Sequence, residues 1–489
     1  MDSPAHITRR TALRRAGALA VALGTLEAVG PFSFAPQRVG ASIVPSDIQF
    51  DTSAFLAGPP QTYGSGVPFQ LPPVHTVFLT AAFERTPTRA DQAELNRVLG
   101  LLEQFYPWGA THLVTFVAYG LPYFDRLPGG LVSRHMPRLV SDASRYVLEE
   151  ASPGPTDVSP ANPRISKFRY NVDVRIEHND MLFTLRGDDP GVLADVLAWF
   201  GGSNKLRGRS VASPAWDGLI RFTSSRNMFV QMGMPKAVAK QHGLPYANFI
   251  QPQSPMWMGF ADQQVNGAGP APICTFAGTP AARLTSAAPG DYFDNGSVQH
   301  LSHVILDMLQ FFDMDDETEP PGADGVFTER VQYMFHAPSM VGGNKDQFAD
   351  GGGPALLANE NRGPHYAAQT AQGIGTVAGK RRMGHLSCLQ RSSRAADGTP
   401  MHIRMDGPGF DAMDVPGGAV LPKLQFTIFV PTAEFFRTLR TNQASLDLQD
   451  KHGVSVNDNG LERFLTATRR QNFLIPPRRH RAFPLTELA

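Results

Sequence analysis

Three side chains with complementary chemistry lie in widely separated parts of this chain of 489 residues: Asp262, His385 and Arg404. A carboxylate can take a proton from one atom and return it to another when both lie within hydrogen-bond reach. A neutral imidazole can bind a metal ion, and a guanidinium stays charged and can stabilise developing negative charge. Asp406, two residues after Arg404, could order a water molecule beside it. These residue types indicate an enzymatic site if the fold brings their segments together.

Each of these residues also has an ordinary structural interpretation. Residues 259–262 can be a strand end followed by an aspartate turn. His385 is one of 14 histidines and is by default a structural residue, and Arg404 can be a surface ion-pair partner. His300 and His303 lie three positions apart in an apolar segment, where core or surface positions are simpler explanations than a zinc or iron pair. Only the three segments in combination favour a site over these alternatives.

The elements of the first half predict a sheet with helices on one face. Apolar periodicity and turn residues predict, in chain order, a strand at 74–79, a helix at 89–106, a strand at 112–119, two strands at 172–176 and 181–185 across a turn at 178–180, and a helix at 191–200. The order strand, helix, strand, strand, helix fits a ferredoxin-like unit.

The second half has weaker signals. Strand character at 257–260, 299–311 and 424–431 and a helix at 432–443 are predicted, separated by a long stretch rich in Gly, Asp, Asn and Pro. Its run Asp350-Gly351-Gly352-Gly353-Pro354 is not a phosphate loop, because no Lys-Ser or Lys-Thr follows the glycines. Loops of this length in a compact domain are usually functional walls or lids.

The amino terminus predicts export. A basic region with Arg9 and Arg10 precedes a short, weakly apolar stretch at 16–24, which is too short to span a bilayer stably. This pattern resembles a twin-arginine export signal, so we expect a periplasmic or extracellular protein with no stable membrane insertion. We expect four parts: the signal at 1–35, a linker rich in Pro and Gly at 36–73, a first domain at 74–215 and a second domain at 216–489.

Composition excludes several classes of function. Acidic and basic residues balance at 44 each, so no broad positive field exists to hold nucleic acid. The two cysteines, Cys274 and Cys388, exclude a disulfide scaffold and any site with four thiolates, and their pairing stays open. The run Arg478-Arg479-His480-Arg481 is most simply a solvated tail.

Several motifs together resemble the dye-decolourising peroxidases. Gly259-Phe260-Ala261-Asp262 is similar to the Gly-Phe-X-Asp signature of that family, and Gly384-His385-Leu386 resembles its segment with the iron-ligating histidine. Ile403-Arg404-Met405-Asp406 resembles its motif with the distal arginine. Residues 116–127 and 180–200 resemble stretches of its first domain, so the resemblance covers roughly 74–445 in the family's order.

The resemblance implies an α+β fold of two ferredoxin-like domains, each an antiparallel sheet with helices on one face, with haem b in the second. It further implies that His385 binds the iron, that Gly259, Phe260 and Asp406 contact the cofactor, and that Asp262 and Arg404 are catalytic. The expected reaction is the reduction of hydrogen peroxide with oxidation of a dye-like or phenolic donor, in a possible homo-oligomer. Electrons would pass through surface Trp or Tyr residues, and the tryptophans are Trp108, Trp199, Trp216 and Trp257.

The chain departs from the family pattern at several positions. Gln263 stands where the family has glycine, Ser387 and Cys388 replace basic residues after His385, and Asp406 stands where asparagine is common. These changes leave a second hypothesis open: an exported protein of this fold that binds haem without turnover, or has lost it, and acts as a binding module. A non-haem hydrolase is a weaker alternative, because neither Gly-X-Ser-X-Gly nor His-Glu-X-X-His occurs in the sequence.

Overall fold

In the computed structural model, the first half of the chain forms one complete ferredoxin-like unit, as its strand and helix patterns predict. Its elements are β1 (His75–Phe83), α1 (Arg89–Phe105), β2 (Val114–Tyr119), β3 (Met181–Gly187), α2 (Pro190–Phe200) and β4 (Ile220–Phe229). The antiparallel strands lie in the order β2-β3-β1-β4. This is the order that a ferredoxin-like connection requires, with both helices crossing one face.

The structure describes residues 19–22, 44–51, 61–62, 68–69, 72–163, 165–250, 252, 254–258, 274–278, 284–314, 374–377, 379–383, 402–444, 446–456 and 460–489. Outside the two main units, the short strands are Gln61–Thr62, Pro68–Phe69, Arg175–Ile176, Lys205–Leu206, Arg209–Ser210, Ile374–Val377 and Lys380–Met383. The short helices are Leu121–Asp125, Gly129–His135, Met234–Gln241, Met308–Phe311 and Asp447–His452, with 3-10 turns at Pro416–Gly418, Glu462–Phe464, Arg478–His480 and Thr486–Leu488.

Helix α1 shows how local sequence fixes an element. Thr88 accepts a hydrogen bond from the backbone N–H of Asp91, whose carboxylate accepts one from the Thr88 backbone in return. This capping box satisfies two backbone donors that the first turn leaves open. The buried side chains of the helix, at Leu95, Val98, Leu99 and Leu102, follow a helical period, so one face packs on the sheet.

The second half repeats the same topology. Its elements are β5 (Ser297–Leu306), the split strand β6 (Ile403–Arg404 and Gly407–Asp411), β7 (Leu421–Val430), α3 (Ala433–Ala444) and β8 (Leu465–Ile475). These strands lie antiparallel in the order β6-β7-β5-β8. The predicted fold class, two ferredoxin-like units with antiparallel sheets, is therefore confirmed.

The two units share one continuous sheet. Strand β8 lies beside β2 of the first unit, with Leu474 opposite Tyr119. At the other edge, β6 approaches β4: a side-chain carbon on Gly409 would lie 3.0 Å from the carbonyl oxygen of Asn227. The sheet thus curls until its two outer strands meet, and we call this contact the β4–β6 seam.

The core has two layers, one on each face of this curled sheet. Between the units, the inner face buries side chains from both halves, at Phe78, Phe116, Leu301, Phe429 and Phe473. The outer face packs against α1, α2 and α3 through a separate apolar cluster. Each strand is therefore buried on both sides, which explains the almost continuous burial of β1, β2, β3 and β5.

Two local predictions are wrong. Residues 172–176 do not form a hairpin with 181–185, because the short strand Arg175–Ile176 pairs in parallel with Arg469 and Arg470 of β8. The run at 478–481 is not a solvated tail. Arg478 and Arg481 both bond to Glu103 on α1, and Arg479 bonds to Asp47 and Asp294.

The predicted limits of the signal, linker and two domains stay predictions. Most of residues 1–43 lies outside the described part of the chain. The strand that follows the predicted boundary at 215/216, β4, hydrogen-bonds to β1 of the first unit. Within the described residues, no helix combines the length and apolarity needed to cross a membrane.

Candidate functional site

Arg404 lies on an outer strand of the second unit. It ends the first piece of β6 and stands opposite Ile428 of β7. The pairing continues one residue further, because the Met405 N–H donates to the Thr427 carbonyl oxygen at 2.9 Å. Since successive side chains of a strand alternate, Arg404 and Asp406 project to one face and Met405 to the other. Arg404 and Asp406 are partly buried, and Met405 joins the inner core.

Arg404 and Asp406 influence each other electrostatically. Burial raises the pKa of the Asp406 carboxyl, and the neighbouring guanidinium opposes this rise. Burial likewise lowers the pKa of Arg404, and the carboxylate opposes the fall. Desolvation disfavours a charged form and an opposite charge restores it, so each residue helps to keep the other ionised. The strand thus presents a cation beside an anion on one partly exposed face.

The same face continues across the sheet as a row of residues that lie opposite one another. In the antiparallel register Arg404 lies opposite Ile428, Ile428 opposite His300, and His300 opposite Asn472. Adjacent strands are about 4.8 Å apart, so His300 lies about two strand spacings from Arg404. The row joins β6, β7, β5 and β8 under helix α3.

His300 is a neutral, fully enclosed member of this row. Its Nδ1 lies 2.6 Å from Oδ1 of Asn472 and its Nε2 lies 2.6 Å from the Ser302 hydroxyl, while the ring stacks on Phe436 of α3 at 3.5 Å. Burial first, and then the charge of Arg470, lowers the pKa of His300 well below its usual value. His300 therefore acts as a structural residue, in agreement with the simpler of the two sequence interpretations.

Two ion pairs complete the polar network under α3. Arg470 donates to both oxygens of Asp157, at 2.5 and 2.9 Å. Arg440 of α3 donates to both oxygens of Glu462, at 3.1 and 2.9 Å. All four side chains are nearly inaccessible, so each charge depends on its partner for stabilisation. No local pattern predicts these pairs, because their members come from separate segments of the chain.

The other predicted site residues, Gly259, Phe260, Asp262 and His385, lie outside the described residues. Their meeting with Arg404 therefore stays a prediction. The described residues just before them are anchored to the strand that carries Arg404: Trp257 Nε1 donates to the Gly409 carbonyl oxygen of β6 at 3.1 Å. Its ring also packs against Phe229 and Phe410.

His300 and His303 do not share a site. His303 projects into the space between the two units, where its Nε2 lies 3.3 Å from Asp411 and its Nδ1 lies 2.7 Å from the Thr468 hydroxyl. His300 faces α3 on the opposite side of β5. In the ranges that the structure covers, no cluster of three or more side chains could hold a metal ion. The sequence hypothesis of a metal pair at these histidines is therefore not supported.

The redox-active side chains are mostly internal. All four tryptophans are buried, at no more than 4% exposure, so none is the surface residue that the sequence hypothesis required. Among the described tyrosines, Tyr146, Tyr170 and Tyr292 are partly exposed. Cys274 is a buried free thiol whose pKa is raised by burial, and Cys388 lies outside the described residues.

Comparison with known proteins gives one family and a set of similar folds. Residues 73–477 match the model of a family of unknown function (DUF7405). No curated protein sequence is similar enough to match. The encapsulated DyP-type peroxidase of Mycobacterium smegmatis is 15% identical, with a TM-score of 0.46, over 87% of this chain and 98% of that one.

Two further solved structures are similar to the same extent. A DyP-type peroxidase from Cellulomonas bogoriensis is 13% identical, with a TM-score of 0.44, over 86% of this chain and 93% of that one. A DypB variant from Rhodococcus jostii in complex with haem is 12% identical, with a TM-score of 0.43, over 84% and 95%. All three are DyP-type peroxidases.

Proposed function

The chain belongs to this family of unknown function (DUF7405), and we propose that it is a haem-dependent peroxidase, which reduces hydrogen peroxide and oxidises a dye-like or phenolic donor. The observation that carries the proposal is the pair Arg404 and Asp406, a partly buried cation and anion on one face of an outer strand. Their sequence context resembles the distal arginine motif of the dye-decolourising peroxidases.

The residues of the described part are compatible with a haem pocket beside β6. Arg404 and Asp406 project from one face of β6, where both are partly exposed. A bound haem would supply the iron centre at which peroxide is cleaved. We propose that His385 holds the iron and that Gly259 and Phe260 line the pocket.

Side chains of the protein would then transfer the proton and stabilise the developing charge. Asp262 takes the proton from one peroxide oxygen and delivers it to the other, which is work that a carboxylate can do within hydrogen-bond reach. Arg404 stabilises the negative charge that develops on the departing oxygen, because its guanidinium stays ionised at any relevant pH. Asp406 helps to keep that charge in place and orders a water molecule between them.

Chain connectivity is compatible with this arrangement. Trp257 is bonded to Gly409, on the same split strand as Arg404. Asp262 follows Met258 by four positions, which limits the distance between their Cα atoms to roughly 14 Å at full extension. The segment that leads to Asp262 therefore starts from a residue that is hydrogen-bonded to β6.

Absorption spectroscopy of the full chain reconstituted with haem tests the proposal. We expect a Soret band in the wild type and its loss in His385→Ala. The matched control is His178→Ala, since His178 is 65% exposed and should leave the band unchanged. A Soret band that is retained in His385→Ala would contradict the assignment of His385 as the iron ligand. No band in the wild type would leave the alternative of a binding module that has lost the cofactor.

We also propose export by the twin-arginine pathway, on the sequence pattern of Arg9 and Arg10 before an apolar stretch. Fusing residues 1–35 to a reporter that functions only after export in the folded state would test it. Replacement of both arginines by lysine should retain the reporter in the cytoplasm. Export of the lysine variant through the same pathway would contradict the assignment.

A further inference from the structure

A chain of alternating charges runs through the inside of the sheet from one unit to the other. Arg226 on β4 donates to Glu177, and Arg469 on β8 donates to the second oxygen of Glu177 at 3.2 Å. Arg469 also forms a bidentate pair with Asp414, at 2.6 and 2.7 Å. These contacts link two residues of the first unit to the turn that follows β6.

The chain continues to a second carboxylate at the end of β6. His303 Nδ1 lies 3.8 Å from Asp414, and its Nε2 lies 3.3 Å from Asp411. Lys423 on β7 donates to the Asp411 backbone oxygen at 2.7 Å and lies 3.6 Å from its carboxylate. Gln425 donates to the other Asp411 oxygen at 3.3 Å. His303 thus lies between two carboxylates that are each paired with a cation.

Charge in this cluster balances only when His303 is neutral. Asp411 and Asp414 contact the ring, and the whole cluster contains three carboxylates and three cations: Glu177, Asp411 and Asp414 against Arg226, Lys423 and Arg469. The contacts fit a neutral ring that carries its proton on Nε2, which can donate to Asp411 while Nδ1 lies 2.7 Å from the Thr468 hydroxyl. A second proton, on Nδ1, would leave that contact in place, because a hydroxyl can also accept, but it would add an unbalanced buried charge.

The cluster holds one particular strand. Asp411 ends β6 and Asp414 lies in the turn after it, whereas their side-chain partners lie on other strands of the sheet: His303 on β5, Lys423 and Gln425 on β7, and Arg469 on β8. Strand β6 is also one side of the β4–β6 seam, where Gly407 and Gly409 bring its backbone against β4. The chain of ion pairs therefore holds the carboxyl-terminal end of β6, the strand that carries Arg404, against the rest of the sheet.

We propose that this cluster is a pH-sensitive lock on β6, closed when His303 is neutral and released when His303 is protonated. Release on acidification loosens the end of β6 and the turn at 412–415, while the rest of the sheet keeps its ladders. The proposal rests on described contacts alone and holds whether or not the protein binds haem.

The sign of the effect follows from the environment of His303. Burial lowers its pKa, with Asp411 opposing and Arg226 and Lys423 adding to the fall. A histidine whose folded pKa is depressed costs stability as pH falls below its ordinary value near 6.5, because the unfolded or opened form takes up the proton first. The locked form is therefore favoured at neutral pH and weakened by acid.

Hydrogen–deuterium exchange of the full chain, corrected for the intrinsic pH dependence of exchange, tests the lock. Between pH 7.5 and 5.5, protection of residues 405–415 should fall by up to about tenfold per pH unit, the slope for one linked proton. Protection of β1, residues 75–83, should change much less. Equal pH dependence in both segments of the wild type would overturn the proposal without any variant.

Two variants assign the effect to His303. His303→Gln keeps a polar side chain that does not titrate, so the pH dependence at 405–415 should disappear. His300→Gln is the matched control, since it lies on the same strand but faces α3, and it should retain that dependence. If His303→Gln does not fold, Asp414→Asn should loosen 405–415 already at pH 7.5. Unchanged behaviour in either test variant would overturn the assignment.

Discussion

Arg404 and Asp406 project from the same face of one outer strand, and each opposes the shift that burial imposes on the pKa of the other. Two residues apart on a strand is the shortest spacing that puts side chains on one face. The two-residue spacing therefore places the two side chains on one face once the segment is extended against β7.

Arg404→Leu should slow the reaction with hydrogen peroxide by roughly 100-fold or more, because removing one group that stabilises developing charge typically costs that much. Stopped-flow spectroscopy measures the rate, and the Soret absorbance measures haem content, which should not change. The control is Arg221→Leu, an exposed arginine on β4. A normal peroxide rate in Arg404→Leu would contradict its position beside the reacting oxygen.

Asp262→Asn should reduce the peroxide rate by about 100-fold or more, since general acid–base catalysis contributes at least that factor. The amide keeps the size of the side chain but cannot accept and return a proton. Haem binding should persist, so the haem content of the variant separates loss of chemistry from loss of cofactor. Asp217→Asn, at an exposed position, is the control. Equal rates in the two variants would remove the proton-transfer role.

Glu462→Gln should lower stability at neutral pH by about 3 kcal/mol, because it leaves Arg440 buried beside a neutral group. Burial alone would raise the pKa of Glu462, but Arg440 overcomes this and lowers it from 4.5 to about 2. The ion pair therefore stabilises the fold above pH 4.5 and is lost as pH falls towards 2. Denaturant unfolding at several pH values should show a shallower acid decline in the variant. An equally steep decline would mean that other carboxylates dominate.

Gly409→Ala should destabilise the β4–β6 seam by about 1–3 kcal/mol, the usual cost of overpacking. The new methyl group would lie 2.9 Å from Gln425 Nε2 and 3.0 Å from the Asn227 carbonyl oxygen, and the backbone oxygen cannot move aside cheaply. Gly100→Ala is the control, because nothing lies within 4 Å of that position and alanine favours a helix. Thermal unfolding should show a lower Tm for the first variant only. Equal Tm values would show that β6 is not packed against β4.

Phe483→Ala should destabilise the first unit by about 3–5 kcal/mol, the usual cost of deleting a buried aromatic ring. Phe483 is fully buried and packs edge-on against Phe83 at 5.4 Å, although it follows the last strand of the second unit. The matched control is Leu488→Ala in the same segment, where the side chain is 46% exposed. Chemical denaturation followed by circular dichroism measures both. Similar stability of the two variants would contradict the docking of this segment.

The sequence predicted local features and missed long-range ones. The periodicity of 89–106 identified α1, because burial on one face leaves a visible helical period, and the short, largely apolar run at 74–79 identified β1, which is buried on both sides. The spacing of His300 and His303 already implies opposite faces once the segment is a strand. By contrast, the partners of Arg478, Arg481 and Arg470 come from segments hundreds of positions away, and no local pattern carries that information.

The same limit applies to the candidate site. Arg404 and Asp406 could be paired from their two-residue spacing, and the motifs around Asp262 and His385 gave those residues their predicted roles. The lock at His303 had no sequence signature, because Glu177, Asp414 and Arg469 meet only after both units have folded. Charge pairs of this kind are visible only in three dimensions.

The docking of Phe483 also bears on synthesis of the chain. Tyr119, in the first unit, exchanges hydrogen bonds with the backbone of Arg481 and Phe483, and its partner Phe483 comes 364 positions later. A nascent first unit on the ribosome therefore lacks part of its own interior. The full set of contacts inside that unit is therefore available only after translation has passed residue 483.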